Sequence, residues 1–225
     1  MIIRKYGIEL HRLTEQDLEL VRQHRNSEFI RTKMFYQKEI SKEEQQDWFT
    51  KINNDFNYYF LIVHAGKKVG LVHGKIDSYD ERIAQGGLFI WDQNALNSHI
   101  PVIASVCTTD LTFFIMGMNV TTAEVRMDNQ TAIDYNLSLG YSITETNEDE
   151  GKILMSLVKE DYLQKAEKIR TTVKRMAKDS TNLTWDNVHF PKETPDGLYQ
   201  KLPDYLAGKV HQKLQEANDS AKIQS

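Results

Sequence analysis

The stretch Val125-Arg126-Met127-Asp128-Asn129-Gln130-Thr131-Ala132-Ile133, closing at Leu139-Gly140-Tyr141, decides the fold. Just before it, Val120, Ala123 and Val125 with threonines between them read as a strand over 119–127. From Asn129 to Leu139 the pattern turns helical, and Gly140 suits the position just past a helix end, where φ is often positive. Working outward, 153–158 (Ile-Leu-Met-Ser-Leu-Val) reads as the following strand, and 100–116 as the apolar helix before the quoted stretch. Upstream lie three aromatic or β-branched runs, 58–63, 69–77 and 83–91, separated by turns at 65–68 and 78–82. They read as an antiparallel meander. A meander followed by strand, helix and strand makes a βαβ crossover, which puts part of the sheet parallel.

The N-terminal part completes the order. Residues 8–13 alternate apolar and polar, as a half-buried strand does. Thr14 lies three residues before Asp17 and caps a helix bearing Leu18, Leu20 and Val21. Ser41, with Glu43 and Glu44 behind it, opens a second helix through Trp48-Phe49 and Ile52. The order β-α-α-β-β-β-α-β-α-β gives an α/β (α+β) fold: a mixed central sheet with helices on both faces. Residues 1–158 read as one domain. Residues 159–178, with Leu163, Ala166, Ile169, Val173 and Met176 at helical spacing, read as a further helix. Three of the four prolines (191, 195, 203) fall in 179–225, so that segment reads as a less regular extension frayed from 215 on. Its aromatic residues, Trp185, Phe190, Tyr199 and Tyr205, are too many for a linker. They are expected to pack on the core, on a second subunit as a homodimer, or over a cleft.

Composition narrows the function. In 225 residues, 28 Lys+Arg against 32 Asp+Glu give a net charge of -4, which exerts no general pull on nucleic acid or an anionic membrane. No apolar run reaches the length of a membrane span. The opening MIIRKYGIEL is charged at residue 4, so no signal peptide is expected. The lone Cys107 makes no internal disulfide, and a cytoplasmic setting is expected. The seven histidines never fall at i, i+3 or i, i+4, so no helical metal pair is expected. Neither a Walker loop nor a Gly-x-Gly-x-x-Gly run is present.

Four segments, in order, resemble the acetyltransferase superfamily known as the GNAT fold. They are Leu13–Leu18; Arg25-Asn26 with Met34, Ile40–Glu44 and Trp48-Phe49; Leu88–Trp91 running through a loop into a long helix; and the quoted stretch, close to the family's Asn-x-x-Ala-Ile … Leu-Gly-Phe pattern. The resemblance covers about residues 7–158. It implies acetyl-CoA as co-substrate, no metal, and transfer of the acetyl group to a primary amine. The second segment is most similar to bacterial enzymes that acetylate an amino group of a nucleotide-linked sugar for surface glycans, with protein N-terminal acetylases next. By the resemblance, acetyl-CoA lies between the strands at 84–91 and 120–127. Its contacts would be Phe89, Ile90 and Trp91 on the first strand, Asn97, Ser98, His99, Ile100, Pro101 and Val102 at the following helix start, and Asn129 and Ala132 on the later helix.

Two departures stand out. The family's phosphate loop carries glycines and an Arg or Gln, whereas 96–104 (LNSHIPVIA) has no glycine. The family's tyrosine acid stands seven residues after the asparagine; here that position is Asn136, and Tyr135 stands one residue early, a rotation of about 100° on a helix. Asn136 and Tyr135 are the candidates for stabilising the leaving thiolate. His73 and Glu124 lead the candidates for general base, beside the strand-end residues Asp77 and Asp92. A fold that has lost its cofactor and serves as a binding module stays open, as does transfer of another acyl group.

Overall fold

The computed structural model describes residues 1–191 and 198–223. The chain opens with a hairpin, β1 (Ile2–Lys5) and β2 (Ile8–Arg12), turned at Tyr6-Gly7 with both φ values positive. A short 3-10 turn leads into α1 (Leu18–Asn26), where the Asp17 carboxylate accepts from the Thr14 N–H at 3.1 Å and Thr14 Oγ at 2.7 Å. Next come α2 (Glu28–Arg31) and α3 (Lys42–Ile52). Ser41 and Glu44 cap α3 reciprocally: the Glu44 N–H donates to Ser41 Oγ at 3.1 Å, and the Ser41 N–H to Glu44 Oε2 at 2.7 Å. The meander follows as β3 (Asn57–His64), β4 (Lys67–Ser78) and β5 (Ile83–Ile90). Then come a one-turn helix α4 (Gln93–Leu96), α5 (Ile100–Asp110) continued by a π-helical turn over 111–115, β6 (Val120–Arg126) and α6 (Gln130–Ser138). Two more strands, β7 (Ser142–Asn147) and β8 (Lys152–Val158), close the expected domain. The extension holds α7 (Lys159–Lys165), α8 (Glu167–Met176), a two-residue strand β9 (Val188–His189) and α9 (Asp204–Ile223).

The strands form one sheet in the order β7-β8-β6-β5-β4-β3-β2-β1-β9. Among the described residues only β5 and β6 pair parallel, and every other neighbour is antiparallel. Alternation along the strands separates two faces. One face, with Leu61, Leu71 and Trp91, packs on Leu18 and Val21 of α1 and Phe49 of α3. The other, with Tyr58, Phe60, Val72, Ile76 and Ile90, packs on Ile103, Ala104 and Cys107 of α5. The second face also carries α6: Ile133 meets Ala123 and Val125 of β6.

The extension corrects the expectation of irregular structure. The helix read over 159–178 breaks at Ala166 (φ -88°, ψ 5°), which lets Tyr162, Ala166 and Val173 all become fully buried. Val188 and His189 pair with β1 and cover that sheet edge. Residues 204–223 are helical throughout, so fraying does not begin at 215; residues 224–225 and Pro195 lie outside the described residues. The stripe Leu206, Val210, Leu214 and Ala217 packs on the main core. Of the three fates expected for the aromatic extension, Phe190 and Tyr199 take the first and join the core. Asp55, 3% exposed, holds the extension by accepting the backbone N–H groups of Tyr199 and of Lys201, the latter at 2.7 Å. Asp110, fully buried, ties in the other half: it accepts from Tyr6 Oη at 2.7 Å and Tyr162 Oη at 2.9 Å and faces the Arg170 guanidinium. Burial raises the Asp110 pKa despite that cation.

Two further strands escaped the sequence reading. β1 is four residues long and alternates poorly at its charged end. β7 is exposed along nearly its whole length, so backbone pairing to β8 holds it and no apolar pattern marks it.

Candidate functional site

The cleft begins where β5 and β6 part. They pair at Ile83 with Val120, Ala84 with Thr121 and Gln85 with Thr122, and no further. Past that point β5 stays bound to β4 as far as Ile90, and β6 stays bound to β8 as far as Arg126. The facing edges therefore splay, and β5 from Gly86 on has no strand on its β6 side. Such an edge pairs with an extended amide chain as a strand would.

Just above the last pair, three residues line up across the opening. His73 on β4 is in register with Gly87 on β5. Two residues beyond the Gln85–Thr122 pair, Glu124 on β6 stands level with Gly87 and on the same face. The missing side chain at Gly87 is what places His73: a Cβ there would lie 2.7 Å from the imidazole Cε1. The ring lies over the glycine backbone, toward the splay. Tyr59 of β3 stacks on it from behind (centroids 5.2 Å apart, planes 15°), and Trp48 of α3 meets Tyr59 edge-on at 5.0 Å. This aromatic packing desolvates His73 and lowers its pKa to about 4, so the imidazole is neutral at pH 7. Glu124 is exposed. Of the strand-end candidates, the Asp92 carboxylate caps α4 by accepting the Ala95 N–H at 2.8 Å, and Asp77 is ion-paired with Lys75 at 2.7 Å.

Asn136 belongs to the opposite face. Its Nδ2 points at Met155 Sδ, 3.8 Å away, and Met155 pairs with Ala123 of β6, one residue before Glu124. The amide thus sits under the same level of the splay that His73 overhangs. Tyr135, one helical step round, is not brought to this point. Its hydroxyl is buried against α5, near Ser105, and burial raises its pKa to about 12. Asn129 caps α6 by accepting the Ala132 N–H at 3.2 Å, and its own N–H donates to the Arg126 carbonyl at 3.0 Å, which fixes the helix start at the end of β6.

The helix-start end is differently furnished. Asn97, Ser98 and His99 are exposed, but Ser98 Oγ is committed locally: it donates to the Ala95 carbonyl at 2.7 Å and accepts the Ile100 N–H at 3.1 Å. The Ile103 N–H goes to the His99 carbonyl, and Pro101 has none. Ile100 is 1% exposed and Ile90 3%, so these two side chains belong to the core and only their backbone can reach a ligand. The expected loop at 94–99 is partly helical, since Asp92 starts α4 there. No Lys or Arg occurs between Arg82 and Arg126. Phe89 and Trp91 lie on the His73 face: Trp91 stacks on His24 of α1 (4.6 Å, 5°) and donates its Nε1–H to the Lys68 carbonyl at 2.9 Å.

The segment after α2 covers the His73 side. Asn26 clamps it, Nδ2 donating to the Ile40 carbonyl at 2.8 Å while Oδ1 accepts the Ile40 N–H at 2.9 Å. Arg126 reaches across from β6 to donate to the Met34 carbonyl at 3.1 Å. Sequence reasoning missed Gly87 and Tyr59; the Gly86-Gly87 pair inside a strand was the available signal for close approach.

Solved structures share this architecture. Spermidine N-acetyltransferase from Vibrio cholerae, in complex with CoA and spermine, superposes with a TM-score of 0.63 at 18% identity, over 71% of this chain and 100% of that one. The fold is that of the GNAT acetyltransferases. An aminoglycoside acetyltransferase in complex with coenzyme A gives a TM-score of 0.61 at 12% identity, over 70% of this chain and 98% of that one. A domain from Methanocaldococcus jannaschii gives 0.57 at 21% identity, over 67% and 97%. No protein-family model and no curated protein matches the chain. Among the described residues no group of His, Cys, Asp and Glu is placed to hold a metal ion, and no helix is long and apolar enough to cross a membrane.

Proposed function

We propose that the chain is an acetyl-CoA-dependent N-acetyltransferase for a small primary amine. The observation that carries this is the level of the splay where His73 lies over Gly87 opposite Glu124, with Asn136 beneath it. The free edge of β5 suits the amide arm of acetyl-CoA, and Asn97, His99 and the backbone at Val102 would face its phosphates as donors. When bound, acetyl-CoA supplies a thioester carbonyl that an amine can attack, the C–N bond forming as the C–S bond breaks. His73, neutral and fixed by Tyr59, accepts the proton the amine loses. Glu124 on the opposite bank attracts the amine and holds its second N–H. Asn136 donates a hydrogen bond toward the departing sulfur; an amide cannot protonate it, but a thiolate is a fair leaving group, with an ordinary thiol pKa near 8.5. For the acceptor, the Arg25-Asn26 and Trp48-Phe49 segments favour an amino group of a nucleotide-linked sugar.

The spare furnishing at 97–102 favours a second reading, a fold retained as a binding module. Thermal unfolding with millimolar acetyl-CoA decides between them. At about 100 Kd the native state gains about 2.7 kcal/mol, a rise of roughly 5–10 °C for a chain of this size. A folded sample with no rise overturns the enzyme reading.

A further inference from the structure

Arg25 on α1 is a half-buried cation with nothing to neutralise it. Among the described residues it makes no ion pair, its Nη1 is buried without a hydrogen-bond partner, and its Cζ lies 6.0 Å from the centroid of the Phe89 ring. Its neighbours on the same stretch are all engaged: Arg22 pairs with Glu19, Asn26 clamps Ile40, and His24 stacks on Trp91. Desolvation lowers the Arg25 pKa with no carboxylate to oppose it, yet a guanidinium stays protonated at any physiological pH. Leaving a buried donor unpaired costs stability, and a buried charge more so. The cost has a location. Phe89 stands two residues beyond Gly87 on the splayed part of β5 and on the same face, about 6–7 Å further along the strand, and the Arg25 guanidinium lies near its ring.

We propose that Arg25 is the specificity residue of the acceptor site and that the acceptor amine also carries an anionic oxygen group, a phosphate or a carboxylate, which Arg25 binds. This rests on the acetyltransferase reading above and sharpens it. The amine would lie at His73 and the anion at Arg25, beside Phe89, two residues further along β5. The arrangement disfavours polycations: a second ammonium group would be placed against the guanidinium. In this it departs from the neighbours crystallised with spermine or named for aminoglycosides.

The test measures binding by calorimetry, so it does not depend on turnover, with the full-length protein in the presence and absence of CoA. The probes are glucosamine, glucosamine 6-phosphate, glucosaminic acid and spermidine. Wild type is expected to bind one of the two anionic amines at least about 10-fold more tightly than glucosamine, and which one tells phosphate from carboxylate. Arg25→Gln should remove that preference, a loss of about 10- to 100-fold for a charge-assisted contact, while glucosamine affinity stays put. Arg25→Lys should restore part of it, which a purely structural role for the guanidinium would not require. Equal binding of charged and neutral sugars, tighter binding of spermidine, or equal loss for all probes in both variants overturns the proposal. Failure of the parent reading looks different: acetyl-CoA then leaves the melting temperature unchanged, whatever Arg25 does to the sugars.

Discussion

The two ends of the cleft are built by different means. At the proposed reactive end, polar groups are placed by tertiary contacts. His73 is desolvated and set over a glycine, and Arg25, beside Phe89, has no ion-pair partner among the described residues. At the helix-start end, Asp92 and Ser98 are used locally: Asp92 caps α4, and Ser98 serves the Ala95 carbonyl and the Ile100 N–H. A site that holds unsatisfied groups must draw that stability from elsewhere. The extension adds Leu183, Val188, Phe190, Leu206 and Val210 to the core. On the proposed function, the contrast predicts strict selection of the acceptor and a diffuse hold on the phosphates.

That contrast can be broken in four ways. The largest effect is expected from His73→Ala: kcat/KM for any accepted amine falls about 100- to 1000-fold, as for loss of a positioned base. The acetyl-CoA thermal shift stays as in wild type. If the shift vanishes too, the two ends are not separate. Gly87→Ala comes next. Its Cβ would meet the imidazole at 2.7 Å, so the ring must leave the splay or the strands must part. We expect at least a 10-fold loss of kcat and about 1–2 kcal/mol of stability by urea unfolding.

The third is a pH effect. His73 binds its proton only near pH 4 in the folded protein but near 6.5 in the unfolded chain. Between those values the unfolded state holds the extra proton, so stability falls as pH drops from about 6.5 to 4. His73→Gln should flatten that part of a urea-midpoint profile. Above pH 6 the activity profile should carry no His73 limb, and a limb lost in His73→Gln near pH 6.5 would refute the desolvated ring. The smallest effect is expected at the other end. Asn97→Ala should weaken acetyl-CoA by less than about 3-fold in calorimetry, since it is one neutral donor among several. A loss of 50-fold there would mean that the phosphate end is as sharply built as the reactive one.

The sequence was most informative where local physics and global fold agree. The β6–α6 stretch, the caps at Thr14 and Ser41, and the three-strand meander all appear close to their expected bounds. It was least informative where pairing alone makes structure, as in β7, or where prolines hid a good stripe, as in α9. For the candidate site, it named His73, Glu124 and Asn136, which strand register and helix packing bring to one level of the splay. It also implicated Tyr135, which sits against α5 because one residue of helix turns it into the core.

What the sequence determined by itself is the order of elements, because period, capping and turn chemistry are read within a few residues. The tertiary structure alone decided which polar groups share a level of the cleft. Register between strands sets His73 against Gly87 and Glu124, and burial sets the charge state of His73; both depend on residues far apart in the chain, whose separation in sequence says nothing of their distance in space.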